Sequence, residues 1–293
     1  MHITEKLKKI DTAKNTIKKH LDFLRCPLCA EKFRFSSVSP YSLKCETGHT
    51  YDVSRKGYVN LFSGYTKIAN TYDKKLFSAR KIISDFGLYD DLCEKLRGKI
   101  NQGAVILDAG CGCGNLTVNL FENTGKNLTF AVDLSKDGID FAEGTYCEND
   151  LIWIVGNLNN LPLDDDKTDV ITNIMSPANY AEFKRVLKPD GILLKVMPDS
   201  DYLKELRQFI YKENDKNEYS NKDVLENLGE NMNISEISDI KYTRRIPTEY
   251  IPALFDMTPL TLNISEREKI REELKKLNAF EITLAFKIAV CRK

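Results

Sequence analysis

The stretch AVILDAGCGCGNLTVNL at residues 104–120 runs from an apolar segment into three glycines at alternate positions and then into a helical pattern. A strand that breaks into a glycine-rich turn ahead of a helix lets the backbone approach a ligand closely at the carboxyl edge of a sheet. Working outward, apolar runs recur at 128–132, 151–155, 170–174 and 192–196 with helical segments between them, and 282–290 reads as a closing strand. Strands alternating with helices imply an α/β fold with a parallel sheet covered on both faces. Asp133 ends the second run, with 24 residues between it and Asp108. That is where a carboxylate accepts the hydroxyls of a ribose. Ser135 can cap the following helix, which leaves Asp133 for the ligand.

The 293 residues carry 43 basic and 43 acidic side chains, and 42% are apolar. This is a globular composition that excludes disordered and collagen-like classes. At about 150 residues per domain, the length allows two domains or one large domain with an appendage. No apolar run approaches the roughly 20 residues of a membrane helix. MHITEKLKKIDTAK has no apolar stretch after its charges, so a cytoplasmic protein is expected. Neutrality hides an asymmetry: residues 1–80 hold 16 basic and 7 acidic groups, a surplus of nine that the remainder cancels. A basic end can steer a polyanion to one face. Residues 1–22 form an extension in which Ile3, Leu7, Ile10 and Ile17, continuing to Leu21 and Leu24, are interleaved with lysines. That is the pattern of an amphipathic surface helix.

Residues 23–65 contain Cys26-x2-Cys29 and, fifteen residues on, Cys45-x3-His49. Two close-spaced pairs on separate turns can converge on a tetrahedron. Thiolate and imidazole suit Zn2+, and four protein ligands leave no open position for a catalytic water, so a structural zinc is expected. Residues 33–38 and 41–44 would be the linking strands. Beyond them, Arg55, Lys56 and Lys67 alternate with Tyr51, Tyr58, Phe62 and Tyr65. Such a stretch could stack on unpaired RNA bases, or could equally pack between module and domain.

Two features turn the nucleotide reading toward S-adenosylmethionine. The acidic residue precedes the glycines as Asp108-x-Gly110-x-Gly112-x-Gly114, and the third strand gives Gly156-Asn157 followed by Leu161-Pro162-Leu163. With a turn at Leu187-Lys188-Pro189-Asp190-Gly191, this resembles the class I methyltransferase pattern. The resemblance implies a Rossmann-like sheet over residues 66–293, with Asn157 at the adenine. The order of parts is more specific. The zinc ligands precede Gly57-Tyr58-Val59-Asn60-Leu61, Ala79-Arg80, Gly87-Leu88-Tyr89, the glycine loop, Ala181-Glu182-Phe183 and Met257-Thr258-Pro259. The whole resembles the bacterial large-subunit ribosomal RNA (guanine-N1)-methyltransferases from Cys26 to Lys293. That resemblance implies methylation of N1 of a guanine in a 23S ribosomal RNA hairpin by a homodimer. It also places Tyr89, Asp108, Gly110, Gly112, Cys113, Asp133 and Tyr202 at the cofactor. The family usually has glutamate at the position of Cys113 and histidine at that of Tyr202.

Guanine N1 carries a proton at neutral pH, so its attack on a methyl donor needs that proton removed or its departure eased. The segment NIMSPANY at 173–180 follows the fourth strand, over the transferring methyl. Asn173 would hydrogen-bond the guanine edge or cap a helix; Tyr180 would stack on the base or pack in the core. Asp256 is a candidate base or a solvated carboxylate at a helix end. The polar segment 205–233 reads as a lid or a solvated helix pair. Two rival functions are a class I methyltransferase for a small molecule, with the zinc as a clamp, and a non-catalytic RNA-binding relative.

Overall fold

The computed structural model describes residues 3–62, 64, 73–121, 127–146, 151–211, 220–262 and 264–293, with side chains from residue 9 onward. Residue 63, residues 65–72, which include Tyr65 and Lys67, and the side chains of Ile3 and Leu7 lie outside the described residues. Helix α1 (Ile3–Lys19) precedes an antiparallel ribbon of β1 (Phe33–Phe35), β2 (Ser42–Cys45) and β3 (Thr50–Asp52). Strand β4 (Val59–Asn60) and helices α2 (Lys74–Asp85) and α3 (Asp90–Arg97) lead into the alternating part. This comprises β5 (Val105–Ala109), α4 (Asn115–Phe121), β6 (Leu128–Asp133), α5 (Lys136–Thr145), β7 (Leu151–Val155), β8 (Thr168–Ile174), α6 (Tyr180–Val186) and β9 (Leu187–Pro198). The chain closes with α7 (Lys204–Tyr211), α8 (Lys222–Asn231), β10 (Asn233–Pro247), α9 (Ile251–Asp256), α10 (Arg267–Lys275) and β11 (Ala279–Arg292).

The large sheet has the order β10-β11-β9-β8-β5-β6-β7-β4. Pairing is parallel from β4 to β9 and antiparallel at β9/β11 and β11/β10. From β5 the chain adds β6 and β7 on one side, then β8 and β9 on the other. The order therefore reverses between β5 and β8, and a crevice opens at their carboxyl ends.

The expected apolar runs all form strands, but several boundaries differ. The turn at 187–191 belongs to β9 itself: Leu187 pairs with Thr168, and a register shift between Thr168 and Val170 absorbs the Pro-Asp-Gly irregularity. The N-terminal helix stops at Lys19; residues Leu21–Phe23 tighten into a 3-10 turn and Leu24 bridges to Leu163. The described part of the polar segment forms α7 and α8, which bury Leu206, Ile210 and Leu228. Strand β10 was not anticipated, because as an edge strand it has only one buried residue, Ile246.

One apolar core joins α1 and the ribbon to the large sheet. Ile10, Ile17, Leu24, Phe33 and Leu43 share a buried cluster with Ile152, Ile154 and Leu163, each such side chain contributing about 1.5–3 kcal/mol on burial. Val59 of β4 pairs with Ile154 of β7, so the tail of the ribbon is a strand of the large sheet. Two ion pairs add to the joint, Lys9 with Glu143 at 3.6 Å and Lys56 with Asp140. Tyr51 and Tyr58 are buried and Phe62 packs against a core cluster. Packing therefore claims Tyr51 and Tyr58, which are not available to stack on a base, while Phe62 is partly exposed. No described helix is long and apolar enough to cross a membrane.

Candidate functional site

The ligand atoms of Cys26, Cys29, Cys45 and His49 all lie within 4.8 Å of one another. Cys29 Sγ is 3.6 Å from Cys45 Sγ, and His49 Nδ1 lies 3.5 Å from Cys26 Sγ and 3.4 Å from Cys45 Sγ. A tetrahedron with bonds of about 2.3 Å has edges of about 3.8 Å, so the set fits one structural zinc. The ribbon produces this geometry through two turns. Ala30 N donates to Cys26 O at 2.8 Å, and Gly48 N donates to Cys45 O at 3.1 Å with Gly48 at φ +98°. The Thr47 hydroxyl donates to Cys29 Sγ at 2.9 Å and the Tyr51 hydroxyl lies 3.5 Å from Cys26 Sγ. Such outer contacts orient the ligands. Thr47 carries no sequence signal beyond its place between two ligands.

The crevice at the reversal point has a volume of about 410 Å³. Asp108, Gly110, Gly112, Asp133, Tyr89 and Tyr202 line it. Asp133 stands at the end of β6; Oδ2 accepts from Gly112 N at 2.8 Å and Oδ1 from Ser135 N at 2.7 Å. Those two donors fix the carboxylate and leave its other lone pairs toward the crevice. Ser135 caps α5 through Gly138 N. Burial pushes the Asp133 carboxyl above the usual range, against the pull of the same backbone donors. Asp108 is the penultimate residue of β5 and accepts from the hydroxyls of Thr117 at 2.5 Å and Thr172 at 2.9 Å. Burial pushes its carboxyl up to about 6 in spite of those bonds.

Gly110 sits at φ +85°, and a Cβ there would lie 1.9 Å from Ser176 Oγ. The glycine therefore allows the segment after β8 to close over the loop. On the opposite wall the hydroxyls of Tyr89 and Tyr202 are 3.0 Å apart, and burial raises both phenols, keeping them neutral donors. Arg80 also lines the crevice and donates through Nε to Met257 O at 3.1 Å. It was missed as a site residue. The available signal was an arginine adjoining the buried stripe of Leu76, Phe77, Ala79 and Ile83 on α2.

Five expected positions lie elsewhere. Cys113 is buried with Leu76 and Phe77, and its thiol donates to Asn115 Oδ1 at 3.2 Å. Asn157 turns its Oδ1 to Asn159 N at 2.9 Å and does not line the crevice. Asn173 is fully buried; its amide donates to Ala109 O at 2.7 Å and Pro177 O at 3.0 Å, so it is not available to a base edge. Tyr180 packs edge-on against Phe183 in the core and cannot stack on a substrate. Asp256 is neither solvated nor at the crevice: one oxygen accepts from Arg267 at 2.6 Å and the other from Arg271 at 3.0 Å. A carboxylate engaged on both oxygens is a poor candidate for a base.

A crevice of this kind at the sheet reversal, with an acidic strand end and a glycine loop, defines a class I S-adenosylmethionine-dependent methyltransferase. The profile of the family described as "Methyltransferase domain" matches residues 106–191, and that described as "RlmA, N-terminal", a zinc ribbon, matches residues 24–67. The Bacillus subtilis (strain 168) protein named "Putative 23S rRNA (guanine-N(1)-)-methyltransferase YxjB" is 37% identical over 290 residues, covering 94% of this chain and 100% of its own. A Streptomyces fradiae 23S rRNA (guanine(748)-N(1))-methyltransferase is 29% identical, covering 92% of this chain and 96% of its own. A solved Anabaena variabilis structure, described as "Putative methyltransferase from antibiotic biosynthesis pathway", aligns with a TM-score of 0.49 at 16% identity, covering 68% of this chain and 96% of that one. The chain belongs to the 23S rRNA (guanine-N1)-methyltransferase family.

Proposed function

We propose that the protein transfers a methyl group from S-adenosylmethionine to N1 of a guanine in a hairpin loop of 23S ribosomal RNA, as a homodimer. Residues 23–65 serve as the recognition module, residues 66–293 as the methyltransferase unit, and residues 1–22 brace the two. The observation that carries this reading is the joining of a carboxylate placed to receive a ribose, Asp133 beside Gly112, to a zinc ribbon in one chain that aligns over 94% of its length with the Bacillus subtilis relative.

S-adenosylmethionine supplies a methyl group on a sulfonium, an electrophile that needs alignment and dry surroundings more than activation. Asp133 receives the ribose hydroxyls, and the Arg80 guanidinium faces the same cavity and suits the carboxylate of the amino-acid end. Tyr89 and Tyr202 close the wall and donate hydrogen bonds from their hydroxyls. Met175, Ser176 and Pro177 line the acceptor side, where a loop guanine can enter without leaving a duplex stack. Arg34 and Lys44 are register partners on the exposed face of the ribbon. Like charges directly opposite on neighbouring strands destabilise a sheet, and a polyanion crossing that face relieves the repulsion.

The test incubates the protein with labelled S-adenosylmethionine and unmodified 23S ribosomal RNA and identifies the labelled nucleoside. A methyl on N1 blocks the Watson-Crick edge, so reverse transcription stops one nucleotide before it. Label with uninterrupted extension rejects N1. Label on small molecules alone favours the small-molecule enzyme, and binding with no product favours the non-catalytic relative.

A further inference from the structure

Side chains alternate across β9, and Leu193 and Met197 enter the apolar cluster that holds Tyr180 and Phe183 of α6. Between them, on that same face, stands Lys195, only 4% exposed. Its Nζ donates to Asn173 Oδ1 at 2.5 Å and to Ser176 O at 2.6 Å. Both acceptors are neutral, and among the described residues no carboxylate pairs with it. Burial alone draws the amine down to about 8. An ammonium buried without a counter-ion is costly, and groups perturbed in this way cluster where function requires them.

The two bonds of Lys195 clasp one short segment. Asn173 ties that segment to Ala109 at the mouth of the glycine loop, and Met175 N donates to Val196 O at 2.9 Å. Met175 sits at φ +49°, in the left-handed region that non-glycine residues seldom occupy. Its side chain is 36% exposed at the crevice, and the next residue lays its hydroxyl over Gly110. A strained conformation persists only where its surroundings over-determine it. Among the described residues, Lys195 is the one charged side chain that hydrogen-bonds both to Asn173, before this turn, and to Ser176, within it.

We propose that Lys195 is the positioning residue of the methyl-acceptor wall: its ammonium, bridging Asn173 and the Ser176 carbonyl, locks the strained 175–177 turn so that the incoming base meets a preformed surface. The nature of that base rests on the function proposed above; the locking of the turn does not. Lys195 hydrogen-bonds to neither Asp108, Asp133 nor the glycine loop and does not line the crevice, so its effect falls on the acceptor and spares donor binding.

The experiment compares wild type, Lys195→Met, which removes the donors, and Lys195→Gln, which keeps an amide donor without charge. Three readouts are taken: hydrogen exchange at the Met175 amide, calorimetric affinity for S-adenosylhomocysteine, and single-turnover methyl transfer to 23S ribosomal RNA. Misplacing a reacting group by about 1 Å can cost about 100-fold in rate. Lys195→Met should exchange Met175 at least about 10-fold faster and transfer methyl about 10- to 100-fold more slowly, with S-adenosylhomocysteine affinity and RNA KM within about threefold of wild type. Lys195→Gln should recover part of both losses. Unchanged Met175 exchange in both variants overturns the proposal. So does a parallel fall of cofactor affinity, melting temperature and rate, which marks a general packing role. If wild type methylates no RNA, the proposed function fails while the exchange measurement still decides the role of Lys195.

Discussion

Replacing Asp133 with alanine should separate donor binding from everything else the protein does. In the free protein the change takes the acceptor from Gly112 N and Ser135 N, which lie 2.8 and 2.7 Å from the carboxylate. Both donors border the crevice, so water can replace the lost oxygens and stability should fall only slightly. With a nucleoside bound, that water is displaced and the ribose hydroxyls have no charged acceptor. A hydrogen bond to a charged group is worth about 1.5–3 kcal/mol, and about 1.4 kcal/mol is tenfold in affinity. Asp133→Ala should therefore weaken S-adenosylhomocysteine by roughly 10- to 150-fold in a calorimetric titration, with Asp133→Asn between the two. RNA affinity should barely move. A dissociation constant within about twofold of the parent would refute the assignment of this strand end to the ribose.

Metal analysis should find one zinc per chain. Cys45→Ser should lower RNA affinity more than S-adenosylhomocysteine affinity; because Leu43 and Cys45 share a core with Ile152 and Ile154, it should also lower the melting temperature, and an unchanged melt would deny that shared core. Asp108 has a folded carboxyl at about 6 against about 3.9 unfolded, so the folded state holds the extra proton and stability falls as pH rises from about 4 to about 6. Asp108→Asn removes that fall: thermal melts should show it more stable than the parent by up to roughly 3 kcal/mol near pH 7, with the gap closing near pH 4, and a variant less stable near neutrality counts against the burial argument. Arg34→Ala with Lys44→Ala should reduce the slope of log affinity against log salt by about 1.4 for single-stranded RNA; an unchanged slope places the RNA on another face.

The sheet and the zinc ligands were legible because each depends on local patterns: apolar runs of strand length, and ligand pairs separated by two and three residues. The residues at Asp108, Gly110, Gly112 and Asp133 were legible for the same reason, since strand ends and tight turns carry their own signature. What failed depends on distant partners. Asn173 reads as a substrate contact until Lys195, which is 22 residues away, is seen to occupy it. Asp256 reads as a base until α10 brings two arginines to it. The cavity role of Arg80 depends on how α2 lies against the loop before Pro259. Strand β10 was lost because an edge strand with one wet face lacks the apolar run by which the others were recognised.

Strand β4 gives the molecule a fixed gauge. Because Val59 and Asn60 are hydrogen-bonded into the sheet that also carries the crevice, the zinc ribbon cannot swing on a tether, and the span from its exposed basic face to the Met175 wall is constant. If the ribbon grips RNA as proposed, that RNA is measured along its length, and the nucleotide offered to the methyl donor is the one that falls at that span. On that proposal, lengthening the hairpin loop by one nucleotide would change which base is presented without altering any residue that touches it.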